Sequence, residues 1–324
     1  MPRYTTNMAM TAKIESTAGT DAAPVAGTDG VLLIKGVDIT PLDVKYAERN
    51  ILQPFFGGSQ SLIANYNTKV AFDVELAGGG AAALTTVGAP WGVLLRACAT
   101  SQAALVTPNR IEHTPASTGL STVTIYLYDD GVLHKLIGSM GSVKLMAKQG
   151  ETPKLHFEFI GTYAAVTAVA LPSPVLTAWK VPTPVSKANV IDITLGCTYA
   201  TGAISGGTVF ASNGLEIDFG NALQWFASLS SERADITDRD AKVRFDMELT
   251  AAQEVTAFTD IIANTVTGLG FTLSGAAGSK IIIFAPALQR TSIKKSEENG
   301  VRLVSFEGKL LPSAGNDDVR IVQL

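Results

Sequence analysis

Two short runs place carboxylates at alternating positions. Lys69–Leu76 reads KVAFDVEL and Lys242–Leu249 reads KVRFDMEL. Asp73 and Glu75, like Asp246 and Glu248, fall on one face of an extended strand, because successive side chains of a strand point to opposite sides. Two carboxylates held in unequal surroundings can divide general acid and general base roles. Here the same pair recurs in two distant stretches, which points to a repeated wet surface. The other reactive side chains do not gather. His113, His134 and His156 are more than 20 residues apart, and none has zinc-ligand spacing with Cys98 or Cys197. No G-x-S-x-G elbow occurs. Gly138-x-x-Gly141 precedes Lys144 without the rest of a phosphate-binding loop, and reads as a bend between strands. The run DITDRD (235–240) lacks the glycine of a calcium loop and reads as a solvated loop with Arg233 and Arg239 as local partners. The Gly78–Gly80 run with its alanines reads as a flexible connection. No catalytic residue, cofactor site or metal site is expected, and the chain reads as something other than an enzyme.

The elements that carry these residues are β-strands. In the first octamer Val70, Phe72, Val74 and Leu76 share the face opposite Lys69, Ala71, Asp73 and Glu75. In the second, Val243, Phe245, Met247 and Leu249 oppose Lys242, Arg244, Asp246 and Glu248. Such a strand buries one side and wets the other, as in antiparallel sheets. Asp129-Asp130-Gly131, between TVTIYLY and VLHKLIG, is a hairpin signal. Helical stripes are expected at Trp91, Leu94, Leu95 and Cys98, after Pro90, and at Val255, Phe258 and Ile262, after a capping box at Thr250 and Gln253.

The octamers belong to a longer repeat. At a constant offset of 173, Leu42–Gly78 aligns with Leu215–Ala251; eight of 37 positions are identical, six of them in the octamers. LDVKY (42–46) then matches LEIDF (215–219), and 141–161 matches 289–308. Each half reads strand, long loop, strand, helix, paired strands. The long loops, Ala47–Thr68 and Gly220–Ala241, are 22 residues each, a length that is usually functional. Pro172, Pro174, Pro182 and Pro184 mark an extended connector. The expected organisation is an N-terminal arm at 1–30, a first domain at 31–171, a linker at 172–188 and a second domain at 189–324.

Composition bounds the function classes. With 324 residues, 46% hydrophobic and 17% charged, the chain is long enough for about two domains. A net charge of −4 provides no basic field for gripping nucleic acid. Two cysteines are too few for a disulfide scaffold and suit a reducing compartment. The start MPRYTTNMAM has no apolar core of a signal peptide, and no apolar run is long enough to span a membrane. A soluble protein, intracellular when made, is expected.

Several segments together resemble the tail tube (major tail) proteins of tailed bacteriophages and prophages. They are ESTAGTDAAP (15–24), ITPLDVKYAERNILQPFFG (39–57), the first octamer followed by APWGVLLRACATSQ (89–102), residues 121–163 and a proline-rich exit near 171–174. Ser139-Met140 stands where a more basic pair is expected, and the second half matches less closely. The resemblance implies a mainly β fold, two tandem antiparallel β-sandwich or barrel domains each with a flanking helix. Their inner sheets would join across subunits around a lumen, in rings stacked into a tube within the virion tail, assembled in the host cytoplasm. With two units per chain, three chains would close a pseudo-sixfold ring.

The candidate lumen face is Asp43, Asp73, Glu75, Glu158, Glu216, Asp218, Asp246 and Glu248, with Lys45, Lys144 and Lys294, an acidic balance that lets DNA slide without specific binding. The candidate ring-to-ring contacts are Arg49, Phe55, Phe56, Tyr66, Trp225, Arg233, Asp238 and Arg239, with the arm 1–30. Implied partners are further copies of the chain, a tape-measure protein and a tail terminator. By analogy the duplication points to a long, non-contractile tail. A β-sandwich adhesin or carbohydrate-binding module is the alternative, which would need Trp91, Trp179 or Trp225 to form an exposed aromatic platform.

Overall fold

The computed structural model describes residues 2–324. The first half contributes β1 (Met8–Ile14), β2 (Gly30–Val31), β3 (Asp38–Ala47), β4 (Leu62–Glu75), α1 (Gly92–Arg96), β5 (Thr100–Leu105), β6 (Arg110–Pro115), β7 (Val123–Asp129), β8 (Val132–Lys148), β9 (Lys154–Tyr163) and β10 (Thr167–Ala168). The second contributes β11 (Val190–Ala200), β12 (Ala203–Val209), β13 (Ser212–Asp218), β14 (Asn221–Ala227), β15 (Glu232–Arg239), β16 (Lys242–Met247), α2 (Ala251–Ile262), β17 (Val266–Leu273), β18 (Ile281–Glu298), β19 (Val301–Leu311) and β20 (Arg320–Gln323). This is a mainly β protein with antiparallel pairing.

The front layer runs β3-β4-β9-β8-β13-β16-β19-β18. Its first four strands and its last four have the same internal connectivity. Both octamers occupy the second position of a set, and their pairing is alike: Phe72 faces Phe157 across the ladder, and Phe245 faces Phe306. The rings of each couple lie 5.9 and 5.5 Å apart. β8 and β18 are long enough to cross into a back layer, bending at irregularities between Ile137 and Met140 and between Arg290 and Ser292. Such breaks in a ladder turn a strand toward a second sheet. The back layer is β2-β1-β7-β8-β10 in the first half. In the second it is β12-β11-β17-β18-β20, extended by β6 and β5 from the first half.

One hydrophobic cluster lies between the layers and joins the halves, with Phe72, Phe157, Phe245, Phe271 and Phe306 all in it. The wet and dry alternation of the octamers holds: Val70, Phe72, Val74 and Leu76 are buried. The Asp129–Val132 hairpin has φ of 38° at Asp130 and 93° at Gly131. Two successive positive φ values match the twist of the flanking strands, as in a type I′ turn. Thr250 and Gln253 form the capping box at the start of α2.

Four expectations change. First, the ungapped register fails outside the octamers. Asp38 pairs with Ala71, and Glu216 pairs with Arg244, the residue that the octamer alignment matches to Ala71. Gly36–Thr40 is therefore the counterpart of Gly214–Asp218, and LDVKY lies beyond it, past a break in the ladder between Thr40 and Asp43. Second, the long loops are largely paired. β3 and β4 extend into a hairpin that leaves only residues 48–61 as loop, and β14 with β15 forms a separate two-stranded ribbon. Third, residues 8–14 of the expected arm are β1, in register with β7. The proline-rich segment is likewise tied down: Val185 is buried, Val175 N–H donates to Ala26 O, and Trp179 Nε1 donates to Gly30 O. Fourth, Trp91, Leu94, Leu95 and Cys98 are buried as expected, but Val255, Phe258 and Ile262 are exposed; α2 turns Ala257 and Ile261 inward instead.

Candidate functional site

The candidate lumen residues converge on the front face. Asp73, Glu75, Glu158, Glu216, Asp218, Asp246 and Lys144 alternate with buried neighbours on β4, β9, β13, β16 and β8, and so share one side of the sheet; Lys294 of β18 joins them through Ser305, which faces both it and Asp246. Glu248 follows the end of β16 and is exposed. Asp43 and Lys45 sit on the same side in the extended part of β3, paired with Asn67 and Asn65.

Cross-strand neighbours neutralise much of this acidity, which the linear reading did not count. Asp43 pairs with Lys69 at 2.6 Å. Lys144 stands between Asp218 at 3.6 Å and Glu158 at 4.0 Å. Lys294 lies 3.5 Å from Glu307. Asp73 meets His156 Nδ1 at 2.6 Å and Lys154 Nζ at 3.2 Å. Burial by itself raises the Asp73 carboxyl, but hydrogen bonds from His156 and Lys154 outweigh it and hold its pKa below the usual carboxylate value. Lys242 and Arg244 share the face, while Glu75, Glu216 and Asp246 make no ion pair among the described residues. The face is thus a mixed-charge lattice with an acidic remainder, in place of the plain acidic wall expected. Ion pairs this exposed contribute little to stability; their effect is on what the face attracts.

The elements expected to hold ring-to-ring contacts behave unequally. Phe56 is fully exposed and Phe55 largely so, on the loop with Arg49. Tyr66 packs edge-on against Tyr163 at 5.5 Å. Arg233 lies over the Phe226 ring and pairs with Asp235. Asp238 binds the backbone N–H of Arg239. Arg239 does not serve as a local partner in the aspartate run; it reaches Asp318 at 3.0 Å, with both side chains largely buried, so it ties the ribbon to the body. The tryptophans form no platform: Trp91 is buried, Trp179 is bonded to the β2 backbone, and Trp225 lies on β14.

Among the described residues no group of three or more His, Cys, Asp or Glu could hold a metal ion. Both cysteines are free and buried. His113 is packed against Trp91 and accepts a hydrogen bond from Gln323. Burial, with Arg96 adding to it, lowers its pKa to about 3, so the ring is neutral and structural. Glu112 beside it gathers Arg110, Arg320 and Tyr199. Burial raises this carboxyl too, but hydrogen bonds from Tyr199 and Arg110 and the charge of Arg320 overcome that and lower its pKa. This cluster pins β6 of the first half to β20 and β11 of the second, and sequence reasoning missed it because its members are far apart in the chain.

The strand edges complete the site. Among the described residues β3 pairs only with β4, and residues 292–298 of β18 pair only with β19, so the front sheet ends in two open edges. Such edges invite further pairing. The distinctive surface of this mainly β protein is a charged sheet face ending in open strands. A family model described as phage tail tube protein matches residues 5–321, and the chain belongs to that family. Membership makes it a structural protein of the virion tail that self-assembles into the tube, in a family not normally enzymatic. No curated protein matches the chain. No helix is long and apolar enough to cross a membrane.

Proposed function

We propose that each chain supplies two equivalent tube units, β1–β10 and β11–β20, and that three chains close one ring through their open front-sheet edges. Stacked rings then form a conduit through which DNA passes along the charged face. Eight front strands from each chain amount to 24. At about 4.8 Å per strand the barrel is at least ~37 Å across before tilt, larger than barrels of 16–18 strands that already hold an aqueous channel.

A pair of glycines carries this reading. At the junction of β8 with β13 inside the chain, Gly214 has φ of 106°, and an added Cβ would collide with Ala147 O. Close approach of β8 requires glycine there. Gly36, its counterpart ahead of β3, has φ of 102° and nothing within 4 Å of the same Cβ position. Carried across by the register of the inner junction, in which Gly214 faces Lys148 and Asp218 faces Lys144, the open edges match Gly36–Thr40 of one copy with Glu298–Lys294 of the next. Gly36 would then need its missing side chain only in the assembly.

The test compares Gly36→Ala with Gly19→Ala, a glycine of φ 78° that is also open on all sides. Both variants place a Cβ at a positive φ with nothing within 4 Å of it. Electron microscopy is expected to show rings or tubes for wild type and Gly19→Ala and dispersed subunits for Gly36→Ala. Normal tubes from Gly36→Ala would contradict the proposed junction.

A further inference from the structure

The two helices differ in what covers them. Aligned on their C-caps, Ala97 and Ala263, which share the same backbone conformation, Trp91 corresponds to Ala257 and Leu95 to Ile261, the inward positions. The sideways positions are Gly92 and Arg96 on α1 with Ala89 just ahead of it, and Val255, Phe258 and Ile262 on α2. Ala89 and Gly92 are small where other elements close over them. A Cβ on Gly92 would meet His113 Cε1 at 3.1 Å and Gln102 Oε1 at 3.2 Å, both from the β5–β6 hairpin. Ala89 N–H donates to Gln323 Oε1, at the end of β20, at 2.8 Å. The second half has no such hairpin, since α2 leads directly into β17. Its sideways positions carry large apolar side chains in the open: Val255 is 67% exposed, Phe258 41% and Ile262 82%.

α2 stands against the unpaired part of β18, held by Lys295–Glu254 at 3.0 Å and Arg290–Asp260 at 2.6 Å. The apolar stripe therefore borders an open sheet edge. The element that would face it across that edge is identified by the inner junction, where β20 faces α1. In the first half β10 pairs with the start of β8 as β20 pairs with the start of β18. Its outer edge is unpaired, whereas that of β20 is taken by β6. The chain around and beyond β10 exposes Val166, Val169 and Leu171.

We propose that the Val255–Phe258–Ile262 stripe of α2 docks on β10 and residues 169–171 of a second copy of this chain. The longer helix takes the place that the β5–β6 hairpin fills inside the chain, so the junction within a chain and the junction between chains have different linings behind one common front sheet. Apolar surface on both partners is removed from water only on assembly. This rests on the ring reading above, and the test separates the two.

Val255→Asp/Ile262→Asp alters only exposed side chains, so the subunit is expected to keep its Tm while the concentration needed for ring formation rises about tenfold or more. Val169→Cys/Val255→Cys, treated with a short bismaleimide after assembly, is expected to give covalent trimers on denaturing gels, and neither single variant should. The native thiols are buried, and burial raises their pKa, which keeps them out of the reaction. Rings that form at the wild-type concentration in the aspartate variant and give no cross-link would overturn the docking while leaving the ring reading intact. A wild-type chain that stays monomeric at every concentration would overturn both.

Discussion

Gly214 and Gly36 share a positive φ, 106° and 102°, and have opposite surroundings. The first is pressed against a neighbouring strand and the second faces open space. The helices repeat the contrast: α1 lies under a hairpin and a C-terminal strand, while α2 lies bare. In both cases the crowded member lies where the two halves of the chain meet, Gly214 against β8 and α1 against β20, while Gly36 of the first half and α2 of the second lie at the outer ends with nothing beside them. What differs between the halves is therefore concentrated where they would meet a neighbour, while the packing between front and back layers is similar. The exception in the core is a ring: Phe72 stacks on Phe159 and packs at a tilt against Phe157, whereas Phe245 stacks on Phe306 alone, with Gly308 next along the strand.

The sharpest way to break the comparison is in that core. Phe72→Ala and Phe245→Ala should each cost about 3–5 kcal/mol, with Phe72→Ala the worse because it strips contacts from two rings. Urea denaturation of the unassembled subunit measures both, and equal costs would remove the asymmetry. A smaller effect separates the glycines. Gly36→Ala should lower subunit stability only by its backbone strain, about 1–2 kcal/mol, and Gly214→Ala by clearly more, because it also forces β8 away from β13.

The inner junction should also respond to pH. His113 is neutral when folded, with its pKa near 3 against an ordinary 6.5. Between those values the unfolded chain binds the extra proton, so this contribution to stability is complete above pH 6.5 and declines as pH falls toward 3. Thermal melts of His113→Gln against wild type, from pH 7 to pH 4, should show a flatter fall for the variant. Last and smallest, Thr250→Ala removes the cap of α2 at about 1 kcal/mol; α1 has no side-chain cap to lose. Amide exchange in α2 should rise and that in α1 should not.

Much of the front layer was legible in the sequence because it obeys short-range rules. The octamers alternate with period two, the Asp130-Gly131 turn has the residues its φ values require, and the capping box is local. What misled was register. Aligning LDVKY with LEIDF matched two apolar patterns across hairpins of unequal length; the true match, GVDIT with GLEID, is anchored by the positive-φ glycines, a signal present in the chain. The stripe on α2 has the period of a buried helix face, and periodicity alone cannot say whether the covering surface is in the same chain. The β5–β6 hairpin went unread because its partner strand, β20, lies about two hundred residues away. The face was expected to be acidic because charges were counted along strands, whereas Lys69, Lys154 and Lys144 meet their acids across them.

The central claim is that the β8–β13 junction inside the chain is repeated between chains. A cryo-electron microscopy reconstruction of the assembled tube tests it directly. The account predicts three chains per ring, with Gly36–Thr40 of each chain hydrogen-bonded to residues 294–298 of its neighbour in one uninterrupted inner sheet. Six chains per ring, or rings whose β3 and β18 edges remain unpaired, would contradict it.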